Sequence, residues 1–308
     1  MREITVTEND AGQRLDKFLA KFMPALPKGM LYKGLRKNFV RINGKHAKDG
    51  SVFLKNGDVL TLYWSDEFFT KKSTFIPIKN DLDTVYEDEN ILLINKKRGT
   101  VVHADDKGTE NTLIDEIKSY LFEKGEYNPE TEHSFSPSLC NRLDRNTSGI
   151  IIAAKNAESL RILNEKIRRR EIRKLYECVV EGELHGTKTL NAYITRHEKR
   201  VSVSDTPSAD AKTASLTYTV LAADKKHSLC SVELHTGRTH QIRAMLAHIG
   251  HPLEGDVKYG GSKASGYSGL ISRRLVFDFR SDAGILNYLT GKEFSVSSDF
   301  TKMFSLIN

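Results

Sequence analysis

The sequence predicts an α+β protein: a mixed, mostly antiparallel sheet with a few flanking helices, preceded by a small basic module. In residues 81–308, segments of β-type sequence outnumber helical ones and are unevenly spaced. Strands and helices do not alternate regularly there, which disfavours a doubly wound sheet or a barrel. The polar stretch 65–80 lacks hydrophobic periodicity. We therefore predict a domain at 1–64, a linker at 65–80 and a second domain at 81–308.

The N-terminal module is predicted to contain two short helices followed by strands. A second helix is expected over 30–37. A strand over 39–42 then leads into an Asn-Gly turn, and 55–62 repeats the order of turn and strand. The first helix is predicted by apolar residues at helical spacing: Leu15, Phe18, Leu19 and Phe22.

The second domain contains more strands than helices. Its predicted strands are 85–86, 91–95, 149–154, 176–180, 216–221, 228–234 and 275–279. Its predicted helices are 112–123, 157–170 and 239–248, the last with Thr239 as N-cap.

Composition places the chain among globular proteins. Its 308 residues are 39% hydrophobic and 28% charged, which argues against wholesale disorder. No apolar run approaches the roughly 20 residues that span a bilayer, and the first residues lack the apolar stretch of a secretory signal. Three scattered cysteines fit a reducing compartment. We expect a cytoplasmic monomer with no membrane partner.

The positive charge is unevenly distributed along the chain. The net charge is +7, and residues 1–64 contribute +6 of it, with 12 Lys/Arg against 6 Asp/Glu. A second concentration runs from Arg168 to Lys174. Either cluster fits a polyanionic partner or a solvated surface, and charge alone does not decide between them.

The most informative run is Asn141-Arg142-Leu143-Asp144-Arg145-Asn146-Thr147-Ser148-Gly149. It precedes an apolar strand, so Asp144 lies on a loop at a strand edge, where a scaffold commonly presents functional residues. The same pattern makes a good turn in which the Asp side chain bonds backbone amides. From this run alone, the turn is the favoured interpretation.

Other kinds of site are disfavoured. The histidines between 235 and 251 form no H-E-x-x-H pattern and no recognisable ligand set with nearby carboxylates. Ser148 lies in no G-x-S-x-G elbow, which disfavours an acyl-transfer hydrolase. A glycine-rich phosphate loop is also missing from the sequence. No metal site is predicted.

Four segments in order carry a family resemblance. They are VYEDENILLINKKRGTVVHAD from residue 85, NRLDRNTSG from 141, RKLYECVVEG from 173 and LHTGRTHQIR from 234, the last continuing into LAHIGHPLEGD. Together they resemble the RluA-type family of ribosomal large-subunit pseudouridine synthases. The resemblance implies the pseudouridine synthase type of catalytic domain. It also implies an isomerisation in which uridine gains no atoms, so that neither a cofactor nor a metal is required.

The resemblance also implies roles for individual residues. Asp144 is the expected nucleophile, attacking either uracil C6 or ribose C1′. Arg243 pairs with it and keeps it charged. Tyr176 stacks on the uracil, and its hydroxyl is a candidate base. A uridine in a helix must be flipped out to reach the site, and Arg142 is expected to fill the vacated space or hold the backbone. The remaining expected substrate contacts are Arg238, His240 and Gln241.

RLDKFL, LRKNFVRINGK and KNGDVL in the N-terminal module resemble the small α-L RNA-binding motif of a ribosomal protein. The resemblance implies a groove for structured RNA, although the basic surface of such a module can also serve only to pack against a neighbour. The implied groove residues are Arg14, Lys17, Lys33, Arg36, Lys37 and Arg41. The implied phosphate contacts beside the pocket are Arg168, Arg169, Arg170 and Lys174.

The sequence departs from the family pattern at a few positions. Asn141 replaces a more usual His, Asn146 an Asp and Met245 a His, and Lys97-Arg98 stands where the family more often has Pro and a variable residue. These changes bear on substrate choice rather than on reaction type. We expect an rRNA pseudouridine synthase. The alternatives are a tRNA pseudouridine synthase and a non-catalytic RNA-binding assembly factor on the same scaffold.

Overall fold

The structure is a computed structural model that describes residues 1–69, 75–104, 110–197, 200–262 and 269–300. Residues 70–74 of the predicted linker lie outside the described residues. The chain folds into two compact units. The first unit comprises 1–81, 114–138 and 154–161, and the second comprises 82–113, 139–153 and 162–308. Residues 114–138 and 154–161 therefore group with the N-terminal module. The domain boundaries at 64 and 80 stay a prediction.

The first unit contains a four-stranded antiparallel sheet of order β1-β4-β2-β3. The strands are β1 (Arg2–Thr5), β2 (Val40–Ile42), β3 (Lys45–His46) and β4 (Val59–Leu62). The helices are α1 (Leu15–Phe22), α2 (Lys28–Arg36) and, except for its first residue, α3 (Leu113–Glu123). Both short helices predicted near the N-terminus are thus confirmed.

Helical periodicity explains how α1 packs. Leu15, Phe18 and Leu19 are fully buried and join the core of the first unit, while Phe22 is half-buried and stacks on Phe18 with ring centroids 5.7 Å apart. Each side chain buried in this way contributes about 2 kcal/mol relative to exposure. The opposite face of α1 is left for charged residues such as Lys17, which is exposed.

Residues 75–80 of the first unit pack against α3. The backbone N–H of Ile78 donates to Ser119 Oγ at 2.9 Å. The ring of Phe75 lies 5.3 Å from that of Phe122. Residues 75–80, which the sequence assigns to the linker, are therefore in contact with a helix along this stretch.

In the described residues, the second unit contains an eleven-stranded sheet of order β11-β10-β12-β13-β9-β14-β8-β6-β5, with β15 paired to β14 and β7 to β8. The strands are β5 (Thr84–Glu87), β6 (Ile91–Lys96), β7 (Ser138–Leu139), β8 (Ser148–Ala154), β9 (Ile172–Glu181), β10 (Thr187–Arg196), β11 (Val201–Ser204), β12 (Lys212–Ala223), β13 (His227–Leu234), β14 (Leu270–Phe277) and β15 (Glu293–Ser295). The helices are α4 (Ala157–Arg168), which begins in the first unit, and α5 (Gln241–His248).

The sheet is mixed, as predicted. Strand β14 pairs in parallel with β8 and antiparallel with β9. The pairings β9–β13, β13–β12 and β12–β10 are all antiparallel. The α+β fold class is therefore confirmed. Strand β8 is apolar throughout Ile150–Ala154, and each of these residues is fully buried, as expected for an inner strand covered on both faces.

The structure contains a β10–β11 hairpin that the sequence did not predict, and its helix α5 starts later than predicted. Strand β10 alternates polar and apolar residues over only part of its length, and its residues Lys188 and Asn191 are exposed. The N-cap of α5 is His240 rather than Thr239, because His240 adopts a left-handed conformation with φ of 52°. The helix therefore begins at Gln241, two residues after the predicted start at Thr239.

Within the described ranges, no helix is long and apolar enough to cross a membrane. Over those same ranges, His, Cys, Asp and Glu side chains form no group of three or more that could hold a metal ion.

Candidate active site

The loop between β7 and β8 presents Asp144 to the site. The backbone N–H of Thr147 donates to the Asp144 carbonyl at 3.0 Å, which closes a tight turn. Asn141 anchors the start of the loop, because its side-chain oxygen accepts the Ile152 N–H of β8 at 2.8 Å. The predicted turn is present, but the Asp144 carboxylate does not bond the turn amides. It is directed instead at Arg243 on α5.

Gly149 fixes where this loop meets the sheet. It has a φ of +105° and pairs with Ser272 on the parallel neighbour β14. A Cβ placed on Gly149 would lie 2.2 Å from the Ser272 carbonyl oxygen and 2.6 Å from its nitrogen. Only glycine therefore permits both this conformation and this approach. The close contact joins the Asp144 loop to the strand that flanks Tyr176.

Arg243, in the first turn of α5, bridges two carboxylates. Its Nη1 donates to Asp144 Oδ2 at 2.9 Å. Its Nε donates to Asp256 Oδ2 at 2.6 Å, and its Nη2 donates to Asp256 Oδ1 at 2.8 Å. Burial acts to lower the pKa of Arg243, but hydrogen bonds and charge from both carboxylates outweigh it and raise the pKa well above its usual value. The guanidinium is therefore permanently charged.

His240 and Tyr259 complete the surroundings of Arg243. Nδ1 of His240 lies 2.7 Å from the Tyr259 hydroxyl, and its Nε2 lies 3.7 Å from Asp144 Oδ2. Burial lowers the pKa of His240, against the charge of Asp144, so the ring is neutral near pH 7. The Arg243 guanidinium carbon lies 5.1 Å from the centre of the Tyr259 ring, a cation–π distance.

Tyr176 lies on β9 and is buried, with 6% of its surface exposed. Burial raises its pKa to about 12, and the negative charge of Asp144 acts in the same direction. Its cross-strand neighbour Ser272 acts the other way through a hydrogen bond. The phenol is therefore protonated at neutral pH.

Lys96, at the end of β6, is only 1% exposed. Its ammonium group donates to the carbonyls of Lys97, Thr100 and Arg145 at 3.0, 3.1 and 3.1 Å. Burial lowers its pKa to about 8, and the charge of Asp144 opposes this shift. Through the Arg145 carbonyl, Lys96 ties the Asp144 loop to the segment after β6.

The residues predicted to contact substrate differ in how exposed their side chains are and in whether other residues already bond them. Arg142 is exposed beside Asp144 in sequence. Arg238 is half-buried, and its Nε donates to the Thr213 carbonyl at 2.9 Å. Gln241 is 2% exposed. Its amide oxygen accepts the Thr236 hydroxyl at 2.7 Å, and its amide nitrogen donates to the Ser215 carbonyl at 2.9 Å. The geometry therefore favours a structural role for Gln241, holding the turn before α5.

The predicted groove residues all lie in the first unit. Arg14 is engaged within the module, since its Nε and Nη2 donate to Asp16 at 3.1 and 2.8 Å. Arg41 is half-buried, with its guanidinium carbon 5.4 Å from the Tyr63 ring. The others are exposed: Lys17, Lys33, Arg36 and Lys37.

The second basic cluster is only partly free. Arg168 and Arg169 both pair with Glu165 one turn earlier on α4. Arg170 is exposed with a positive φ of 61°. Lys174 is half-buried on β9, and burial lowers its pKa. Two of the four cations are therefore partly neutralised.

Sequence reasoning missed Asp256, Tyr259 and Lys96 as members of the site. Asp256 is 4% exposed, and a buried carboxylate needs a cationic partner. Its position after the apolar Pro252-Leu253 pair was the available signal. Lys96 directly ends an apolar strand, which is an uncommon place for a lysine unless its ammonium group is bonded.

Comparison with known proteins identifies similar sequences. A family model described as RNA pseudouridylate synthase matches residues 90–248. Ribosomal large subunit pseudouridine synthase D of Escherichia coli strain K12 is 34% identical over 258 residues, which is 83% of this chain and 76% of that protein. A protein described as an uncharacterized RNA pseudouridine synthase from Mycoplasma capricolum is 32% identical over 297 residues, covering 95% of this chain and 96% of its own.

Solved structures give the same fold. Human RNA Pseudouridylate Synthase Domain Containing 4 superposes with a TM-score of 0.55 at 19% identity, covering 73% of this chain and 91% of that one. Human RNA Pseudouridylate Synthase Domain Containing 1 gives a TM-score of 0.54 at 18% identity, covering 74% and 95%. At these identities the likeness concerns the fold alone.

Proposed function

Because the chain belongs to the family of RNA pseudouridine synthases, we propose that it isomerises uridine in large-subunit ribosomal RNA with Asp144 as its nucleophile. The RNA target rests on relatives named as ribosomal large subunit pseudouridine synthases. The residue assignment rests on the site geometry. The observation that carries it is the contact between Asp144 Oδ2 and Arg243 Nη1 at 2.9 Å.

This contact meets two requirements of a carboxylate nucleophile. Asp144 must act as a carboxylate, and the charged guanidinium at hydrogen-bond distance pairs with it and orients it. It must also reach a substrate, and its side chain is 30% exposed. All the hydrogen bonds that this carboxylate makes within the described residues fall on Oδ2, which leaves Oδ1 to form the bond to the substrate.

The reaction conserves atoms and needs no external electron acceptor. The bond between ribose C1′ and uracil N1 breaks, the base turns, and a bond forms between C1′ and C5. The proton on C5 is lost and N1 takes up a proton. Asp144 forms a transient covalent bond to either C6 or C1′, and that bond breaks before the product leaves. The arrangement of Asp144 and Arg243 serves both routes.

Tyr176 is proposed to hold the base rather than to remove the C5 proton. Its ring can stack on uracil. Because burial raises the pKa of its hydroxyl to about 12, the phenolate needed for proton removal is scarce at neutral pH. The family resemblance alone left both roles open. The burial of Tyr176 supports stacking.

A uridine within RNA reaches Asp144 only after it has been flipped out of its stack. Arg142 is exposed two residues before Asp144 and is proposed to occupy the vacated space or to hold the backbone. The exposed cations of the first unit, Lys17, Lys33, Arg36 and Lys37, are proposed to bind phosphates elsewhere on the same RNA. We also propose a cytoplasmic location, because three cysteines scattered along the sequence fit a reducing compartment.

The test is Asp144→Asn, which keeps the size of the side chain and removes its charge. Ribosomal RNA and tRNA from cells lacking this protein are incubated with each purified variant, and pseudouridine is mapped by chemical modification and reverse transcription. We expect the native protein to modify large-subunit rRNA and Asp144→Asn to give no product above background. Asp210→Asn, which changes an exposed aspartate of the second unit, is the matched control and retains full yield.

Each result has a defined meaning. Unchanged yield with Asp144→Asn would overturn the assignment of the nucleophile. Modification of tRNA and not of rRNA would overturn the proposed target while leaving the chemistry intact. No modification of either RNA by the native protein would favour a non-catalytic assembly factor.

A further inference from the structure

We propose that Asp256 is a positioning residue that makes Arg243 hold Asp144 by a single hydrogen bond and so keeps one carboxylate oxygen free for attack. The proposal rests on the proposed function of Asp144 and deepens it. It concerns a residue outside the reacting pair, which acts through Arg243 and not on the substrate.

The geometry of Arg243 is asymmetric between its two partners. The edge formed by Nε and Nη2 faces Asp256 with two hydrogen bonds of 2.6 and 2.8 Å. Only Nη1 faces Asp144, with one hydrogen bond of 2.9 Å. Asp256 is also the less exposed partner, since its side chain is 3% exposed against 30% for Asp144. The buried carboxylate of Asp256 is therefore the partner that sets the orientation of the Arg243 guanidinium.

A guanidinium and a carboxylate prefer a two-bonded arrangement when nothing else intervenes. Without Asp256, Arg243 could turn its fork towards Asp144 and donate to both of its oxygens. Such a pair would be more stable in the resting enzyme, and whichever oxygen attacked would first have to lose a hydrogen bond. An interaction that stabilises the ground state more than the transition state slows the reaction.

The neighbours of Arg243 limit its alternatives. Tyr259 lies against the guanidinium at 5.1 Å, and its hydroxyl lies 2.7 Å from His240 Nδ1. The backbone N–H of Gly261 donates to the Asp256 carbonyl at 3.0 Å, and that of Asp256 donates to the Leu253 carbonyl at 3.0 Å. Asp256 is thus held on a bonded turn, which is a rigid support for the fork.

The first experiment is Asp256→Asn, assayed on large-subunit rRNA under single-turnover conditions. We expect the rate at saturating RNA to fall on the order of 10- to 100-fold, as for a small misplacement of a reacting group, with RNA affinity unchanged. The matched control is Glu171→Gln. It removes a buried charge of the same unit, paired with Lys166 at 2.7 Å, and should lower stability while leaving the saturated rate unchanged.

A double-mutant cycle separates positioning from general structural damage. A lysine at 243 has no planar fork, so there is nothing for Asp256 to orient. In the Arg243→Lys background, Asp256→Asn should therefore change the rate by no more than about twofold, so that the two substitutions are strongly non-additive, as expected for residues that act through each other. If Asp256→Asn lowered the rate equally in both backgrounds, positioning through Arg243 would be wrong.

A measurement on the native protein covers the case in which Asp256→Asn does not fold. Three bonded N–H groups restrict rotation of the guanidinium, so Arg243 should give separate Nη1 and Nη2 resonances, assigned by their loss in Arg243→Lys. A single averaged resonance would overturn the proposal. An inactive native enzyme would instead count against the proposed function, whereas an active native enzyme with fully active Asp256→Asn would count only against this inference.

Discussion

The second unit around Asp144 and the first unit around α1 and α2 use charge in opposite ways. Around Asp144, one arginine is shared by two carboxylates. Arg243 donates three hydrogen bonds to them, with lengths between 2.6 and 2.9 Å. On the first unit, Lys17, Lys33, Arg36 and Lys37 are exposed cations at the ends of flexible side chains. The first arrangement fixes the orientation of the side chains at the site, and the second supplies positive charge without a fixed orientation.

The difference predicts how each region tolerates substitution. A chemical step depends on distances to within a fraction of an ångström, so a change in geometry is costly. Phosphate binding by exposed cations depends on how many charges are present, so each loss is small and adds to the others. Changes near Asp144 should therefore alter the rate, and changes on the first unit should alter affinity.

The largest effect is expected from Gly149→Ala, which tests how far the site depends on geometry. Since the new Cβ would lie 2.2 Å from the Ser272 carbonyl oxygen at a φ of +105°, β8 must move away from β14. We expect a loss of about 2–4 kcal/mol in the free energy of unfolding, measured in urea. The rate should also fall, because movement of β8 displaces the Asp144 loop.

Gly186→Ala is the control for this change. Gly186 also has a positive φ, +62°, but a Cβ there meets nothing within 4 Å. It should cost only the backbone strain, about 1 kcal/mol, and leave the rate unchanged. Equal losses for the two variants would show that the close approach of β8 and β14 is unimportant.

The sequence predicted the fold class and most of the strands, because apolar runs such as Ile91–Ile94 and Ile150–Ala154 are buried wherever they fold. It also placed Asp144 on a turn. It could not predict the direction of the Asp144 side chain from the local run, because an aspartate at that position can bond its own turn. The partner, Arg243, lies 99 residues away.

The supporting residues were harder to predict for the same reason. Asp256 and Lys96 are polar side chains whose role depends on burial and on partners distant in sequence, and neither forms a local motif. His240 was expected to contact substrate. Its left-handed backbone and its contact with Tyr259 depend on how the turn from Thr236 to Gln241 closes, which propensity does not encode.

A smaller effect is expected from Lys96→Met, read through the pH dependence of the rate. Burial lowers the pKa of Lys96 to about 8. Below that pH the ammonium group can donate to all three carbonyls, and above it a neutral amine can donate to only two. The rate of the native enzyme should therefore decline as the pH rises through about 8.

Lys96→Met should be several-fold slower at pH 7 and should lack this decline, because no group is left at that position to titrate. Lys166→Met removes an equally buried lysine, 2% exposed, and should change stability without changing the pH profile of the rate. A decline near pH 8 that persists in Lys96→Met would assign it to another group.

The smallest change per residue is expected on the first unit, from Arg36→Gln and Lys37→Gln. Each removes one exposed charge, so RNA affinity should weaken by a few-fold. The slope of log affinity against log salt should fall by about 0.7–0.9 per substitution. The rate at saturating RNA should stay unchanged, because neither side chain belongs to the Asp144 site.

Lys225→Gln is the matched control. It changes an exposed lysine of the second unit that lies outside both predicted clusters. If it weakened binding with the same salt dependence, the cations of the first unit would contribute no more to RNA binding than other exposed cations. The proposed difference between the two units in RNA binding would then be wrong.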